Sequence, residues 1–130
     1  MPPLPLVQAA IVVVRRRGKV LVSRRRSGSH LGGCWEFPGG KRGVGESWAA
    51  CARRELREEL GIAVGRLKPL MALRFRYPTR RVYLRVFECE LRGGRPRAIG
   101  STALRWARPG ELRRLRFPPA NAPLLDRLGD

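Results

Sequence analysis

The sequence predicts a mixed α/β sandwich, in which helices pack against a sheet. Three observations predict it. Short apolar runs rich in Val and Ile lie on both sides of one strongly patterned helix, a glycine-dense stretch separates the first runs from that helix, and helical segments return near the end of the chain. A regular doubly wound fold would alternate strand and helix throughout, and this order does not.

Residues 6–14 are apolar, residues 19–23 form a second short apolar run, and Arg-Arg-Gly lies between them. Two strands joined by a turn are expected. Residues 27–45 carry Gly28, Gly32, Gly33, Pro38, Gly39, Gly40, Gly43 and Gly45, a density that predicts an ordered loop rather than helix or strand. Loops of that length inside compact domains are usually functional. Ser47 is a suitable cap for a helix over residues 48–60, and Gly61 supplies its stop. Ala49, Ala52, Leu56 and Leu60 recur at spacings of three and four, so one stripe of that helix should pack on the sheet. Residues 67–75 and 81–90 read as strands of a hairpin turning at Tyr77-Pro78-Thr79. A strand over 103–107, a short helix over 109–115 opened by Pro109, and a final helix over 122–128 complete the order.

With 130 residues and 43% hydrophobic content, the chain fits one domain over residues 1–130. Its apolar N-terminal run precedes Arg15, Arg16 and Arg17, the reverse of a secretory signal, and is too short to span a bilayer. A cytoplasmic protein with no membrane partner is expected. Cys34, Cys51 and Cys89 are odd in number and widely spaced, which predicts free thiols rather than disulfides or a paired-cysteine zinc site. The formal net charge of +18 points to anionic partners such as nucleotides, nucleic acid or acidic surfaces. Because nearly all of it is arginine, a GC-rich coding sequence explains the same bias.

Only ten residues are acidic, yet Glu46, Glu55, Glu58 and Glu59 gather in one short segment. On a helix, Glu55, Glu58 and Glu59 stand at i, i+3 and i+4, so their carboxylates share a side and repel unless a cation sits among them. Oxygen-only ligands suit a hard ion, Mg²⁺ first and Mn²⁺ as a substitute. The alternative is a solvated helix face neutralised locally by Arg53, Arg54 and Arg57.

Gly40, Glu46, Arg54-Glu55-Leu56, Glu58-Glu59 and Gly61-Ile62 stand at the spacing of the Nudix box, and the chain resembles the Nudix hydrolases on these residues. The resemblance implies the family's α/β/α sandwich with a mixed β-sheet. It also implies Mg²⁺ held by Glu55, Glu58 and Glu59, with Glu46 nearby and Arg54 orienting the carboxylates. The family's reaction is hydrolysis of a nucleoside diphosphate linkage. Outside the box, Trp35 to Lys41, Tyr77-Pro78 with Arg80, and Phe117-Pro118-Pro119-Ala120-Asn121 resemble the MutT-type diphosphatases, which convert 8-oxo-dGTP to 8-oxo-dGMP and pyrophosphate.

By that resemblance Asn121 would read the base edge, Phe37 and Tyr77 would shape the base pocket, Gly39, Gly40 and Lys41 would lie against substrate, and Arg25, His30 and Arg80 would lie near sugar or phosphate. An asparagine amide offers both a donor and an acceptor. Each residue also has a plainer role: Asn121 as a helix cap, Phe37 and Tyr77 as core or turn aromatics, His30 as a loop surface residue. One position departs from the MutT pattern, with Gly100 standing where a carboxylate is expected. Glu58 or Glu59, and less so Glu88 or Glu90, are then the candidate bases. Two other functions fit the same sequence. One is a Nudix hydrolase for a pyrimidine triphosphate, a dinucleotide polyphosphate or an RNA 5′-triphosphate end, and the other a basic nucleic-acid-binding module with a vestigial site. Oligomeric state is not written in the sequence.

Overall fold

The computed structural model describes residues 3–28 and 31–129. Its strands are β1 (Leu6–Arg16), β2 (Lys19–Arg24), β3 (Trp35–Glu36), β4 (Gly39–Lys41), β5 (Lys68–Tyr77), β6 (Arg80–Glu90) and β7 (Ala103–Ala107). The helices are α1 (Trp48–Leu60) and α2 (Ala122–Leu128), with 3₁₀ turns at Pro109–Arg114 and Pro119–Asn121. The main path of the sheet runs β3-β2-β1-β6-β5, with β4 also on β1 and β7 also on β2. The β1–β6 pair is parallel and the other pairs are antiparallel, so the sheet is mixed.

A central strand buried on both faces reads as a continuous apolar run rather than an alternation. β1 does this: Ala10, Val12 and Val14 pack towards α1, while Ala9, Ile11 and Val13 join the core on the other face with Leu124 and Leu128 of α2. One helix on each face makes the α/β/α sandwich. Arg17 and Gly18 turn β1 into β2 with φ of 51° and 78°, the two positive values that a tight hairpin of this hand needs.

Helix α1 begins at Ser47, whose hydroxyl accepts from the Ala50 N–H at 3.1 Å, and ends at left-handed Gly61, whose N–H donates to Arg57 O at 3.0 Å. Its buried stripe is Cys51, Ala52, Leu56 and Leu60, whereas Ala49, expected on that stripe, is exposed. The stripe shifts by one residue at that end, because Trp48 and Cys51, rather than Ala49, carry the first contact with the sheet. Burying Leu56 and Leu60 stabilises by about 1.5–3 kcal/mol each. The last α1 carbonyls have no partner inside the helix. Here the segment before β7 supplies donors, Arg97 N–H to Leu60 O and Ile99 N–H to Glu59 O, which brings Gly100 over the C-terminal end of α1.

Two departures from the sequence reading concern the glycine-dense stretch and the end of the chain. The expected loop contains β3 and β4, too short to show a periodicity, and the helix expected at 109–115 is a 3₁₀ helix. Cys34, Cys51 and Cys89 are free and buried. Among the described residues no helix is long and apolar enough to cross a membrane.

Candidate active site

The site lies where β4 crosses β1 and meets the C-terminal half of α1. Gly39 has φ of 152°, a backbone region that side chains rarely adopt, and a Cβ there would come within 2.7 Å of Ile11 Cα. At Gly40 a Cβ would fall 2.7 Å from Glu55 Oε1. The two glycines therefore let backbone lie directly on β1 and on the glutamate of α1.

Arg54 organises the carboxylates beside this crossing. Its Nε and Nη2 grip Glu46 at 2.7 and 2.9 Å, and its Nη1 reaches Glu55 at 2.7 Å and Glu58 at 3.0 Å. A further bond from Nη2 to Lys41 O, 2.9 Å, fixes the guanidinium to β4. Hydrogen bonds from Arg54 and then from the Gly43 N–H lower the Glu46 pKa to about 2, and the same pairing raises that of Arg54. Glu59 points the other way, under Gly39, whose N–H donates to its Oε2 at 3.4 Å. Burial first, then the neighbouring charges of Glu36 and Glu55, push the Glu59 carboxyl up to about 8.

Such a group suits a cation. The buried carboxyl of Glu59 faces two others, and all available donors are hard oxygens, the set that suits a divalent ion. Glu55 and Glu59 meet beneath β4, while the Glu58 side chain is 59% exposed and held by Arg54. Among the described residues no group of three has already closed to coordination distance. Glu58 lies one turn from Glu55 and beside Glu59 in α1, where Arg54 holds it at 3.0 Å. The donor set fits a divalent cation, which Glu55 and Glu59 would hold with Glu58 as a third carboxylate from the same helix.

Next to this cluster a pocket opens on the α2 side of the sheet. Of the residues expected at substrate, Arg25, Phe37, Gly39, Gly40, Lys41, Tyr77, Arg80 and Asn121 all line it, and His30 lies outside the described residues. Apolar walls come from β1 and β6, including Ile11, Val82 and Leu84. Phe37 stacks on Phe117 with ring centroids 5.2 Å apart. The Tyr77 hydroxyl accepts from the Ala120 N–H at 3.2 Å, which fastens the Pro119–Asn121 turn to β5. Asn121 is 7% exposed and precedes α2, yet its side chain makes no cap hydrogen bond. In the Arg24-Arg25-Arg26 run, Arg25 turns inward and Arg24 bonds Gly33 O instead.

Glu36 is the residue that sequence reasoning missed. It lines the pocket, pairs with Arg25 at 2.7 Å, and stands close enough to Glu59 to raise that carboxyl's pKa. Burial raises the Glu36 pKa as well, against the opposing pull of Arg25. The available signal was the scarcity of acidic residues, since a carboxylate between Trp35 and Phe37 in so basic a chain calls for a local reason. Gly100 lies beside Glu59, its Cβ position 3.8 Å from Glu59 Cγ, and brings no carboxylate. Glu88 and Glu90, weighed as substitutes, line a separate crevice, where Glu88 pairs with Arg15. They are too far along β6 to serve this site.

Known proteins resemble this chain over most of its length. A family model described as "NUDIX domain" matches residues 9–127. The chain is 30% identical over 123 residues to an 8-oxo-dGTP diphosphatase of Escherichia coli strain K12, covering 94% of this chain and 95% of that one. It is 31% identical over 123 residues to a CTP pyrophosphohydrolase of the same strain, covering 95% and 91%. The crystal structure of a MutT protein from Methanosarcina mazei Go1 superposes with a TM-score of 0.87 over 98% of this chain and 96% of that one, at 21% identity.

Proposed function

Since the chain belongs to the NUDIX family and is a hydrolase acting on a diphosphate linkage, we propose that its substrate is an oxidised purine nucleoside triphosphate, 8-oxo-dGTP, cleaved to 8-oxo-dGMP and pyrophosphate with Mg²⁺. The observation that carries this reading is Asn121, nearly buried beside the pocket and not spent on capping α2. An amide in that position pairs a donor and an acceptor with the mixed edge of an oxidised purine. A base lacking that edge would leave the amide unpaired, a loss of about 1–3 kcal/mol.

The base would rest against Phe37 and Tyr77, with Arg25, Lys41 and Arg80 towards the sugar and phosphates. Glu55, Glu58 and Glu59 would hold the metal, and Mn²⁺ is a workable substitute for Mg²⁺. Bound there, a divalent ion supplies charge neutralisation on the phosphates and acidifies attacking water. Arg54 holds Glu46 and Glu55 in place, so that the carboxylates do not swing away from one another. Because Gly100 offers no carboxylate, proton acceptance falls to a glutamate of α1. Glu58, the most solvent-accessible carboxylate of the cluster, is the one with access to water.

The identity shared with a CTP pyrophosphohydrolase supports a second reading, a pyrimidine triphosphate substrate, on the same site. Pyrophosphate release from 8-oxo-dGTP, dGTP and CTP distinguishes them. The expected result is the lowest KM for 8-oxo-dGTP, a preference over dGTP reduced about 10- to 100-fold by Asn121→Ala, and kcat reduced roughly 10²–10⁴-fold by Glu58→Gln. Preference for CTP, with Asn121→Ala neutral, transfers the chain to the second reading.

A further inference from the structure

The opposite face of the sheet carries a second, chemically different surface. Residues directly opposite in neighbouring strands, and residues two apart along a strand, point to the same face. Gln8 pairs with Tyr83 and Ala10 with Arg85 between β1 and β6, while Arg74 pairs with Tyr83 and Arg76 with Arg81 between β5 and β6. Ala10 packs towards α1, so these arginines lie on the α1 side, away from the nucleotide pocket. Helix α1 covers the β1 part of this face and leaves the outer strands open: Arg74, Arg76, Arg81 and Arg85 are all exposed.

Aromatic rings hold the guanidinium groups in a row. Arg74 lies 5.0 Å from the Tyr83 ring centroid, Arg85 lies between Tyr83 at 5.7 Å and Trp48 at 5.5 Å, and Arg42 stacks on Trp48 at 4.5 Å. Trp48 and Tyr83 meet edge to face with centroids 5.6 Å apart. Arg76 and Arg81 stand directly opposite each other, a like-charge pair that weakens a hairpin when nothing lies between them. Among the described residues, none of Arg42, Arg74, Arg76, Arg81 and Arg85 forms an ion pair with a carboxylate. A cationic row without counter-charges is complementary to an extended polyanion.

We propose that this face binds single-stranded nucleic acid. The Arg74, Arg76 and Arg85 guanidinium groups keep N–H edges for phosphate oxygens, which arginine contacts in pairs, whereas Arg42 bonds Gln8 Oε1 and Glu46 O, and Arg81 bonds Leu4 O. Trp48 and Tyr83 seat the guanidinium groups, and Arg74 and Arg76 on β5 with Arg81 and Arg85 on β6 form a positively charged track of the kind that follows a sugar-phosphate backbone. Helix α1 flanks the row, and β5 and β6 leave it open along its length, a shallow track that suits a flexible single strand. The pocket on the other side then remains open to nucleotide while the strand is bound.

The test is fluorescence anisotropy of a labelled oligothymidylate with the full chain in EDTA, as a function of salt. Expected is binding that weakens steeply with salt. Arg74→Glu with Arg76→Glu and Arg85→Glu should lower the affinity at least about tenfold and flatten the salt slope by roughly two, the loss of about three phosphate contacts. Nucleotide hydrolysis by that variant should equal the wild type, which also shows that it folds. A second variant, Arg66→Glu with Arg92→Glu and Arg95→Glu, makes the same change in net charge elsewhere and should retain most of the binding. The proposal is overturned if both variants lose binding equally, if the first loses none, or if the wild type does not bind at low salt. Displacement of the oligonucleotide by polyglutamate at equal charge concentration would instead make this face a site for acidic protein.

Discussion

Gly39 and Gly40 are neighbours in β4, and a methyl group added to each would meet something different. At Gly39 it would strike the β1 backbone at Ala10 and Ile11, neither of which yields, and the backbone angle is itself unfavourable for a side chain. At Gly40 it would strike the carboxylate end of Glu55, which swings aside at little energetic cost. Gly39→Ala is therefore expected to destabilise the fold by about 3 kcal/mol or more. Gly40→Ala should keep the melting temperature within a few degrees but lose most of kcat, since Glu55 would leave its contacts with Arg54 and Glu59. Thermal melts and steady-state kinetics on the two variants would show this separation; equal loss of stability in both would refute it. At this scale the candidate site was legible where residue spacing constrains chemistry, as with the glutamates of α1. It was illegible for Glu36, whose importance arises only when β3 brings it towards Glu59 across the pocket.

Among the elements, α1 was the easiest to read because its signals are local: a serine cap, a three-and-four spacing and a glycine stop all act within one segment. The short strands β3 and β4 were not legible, because what makes them strands is pairing with distant β2 and β1 rather than any pattern of their own. The 3₁₀ turn at Pro119–Asn121 was hidden for a similar reason, since it depends on the Tyr77 hydroxyl 43 residues earlier in the chain. The locality of α1 gives it a clean test. Ser47→Ala removes the hydroxyl that satisfies the Ala50 N–H and should cost about 1 kcal/mol, the usual value of such a cap. In a domain of this size that corresponds to a fall in melting temperature of roughly 3–5 °C. Because Ser47 Oγ lies at the end of α1 remote from Glu58 and Glu59, kcat should not change. A melting temperature unchanged in Ser47→Ala would mean that water replaces the hydroxyl without loss.

For the molecule as a whole, the fold class followed from the order of elements, but the parallel pairing of β1 with β6 did not. That pairing joins residues more than seventy positions apart, and only the complete core selects it. Net charge is the other property that belongs to the entire chain. With twenty-eight basic and ten acidic residues, the folded state confines a charge of +18 that the unfolded chain spreads over a larger volume. Confinement of like charge opposes folding, and dissolved ions relieve it within a Debye length, about 10 Å at 0.1 M. Salt also weakens exposed ion pairs such as Arg113–Asp126 and Arg105–Glu111, but such pairs contribute only about 0–1 kcal/mol each. Relief of the general repulsion should therefore win. The melting temperature, measured in EDTA so that metal binding does not intervene, is expected to rise as sodium chloride is added from low ionic strength. Sulfate should raise it further at equal ionic strength, because arginine N–H groups bind its oxygens in pairs. A melting temperature that falls with chloride would mean that specific ion pairs, rather than net repulsion, dominate the electrostatics of this fold.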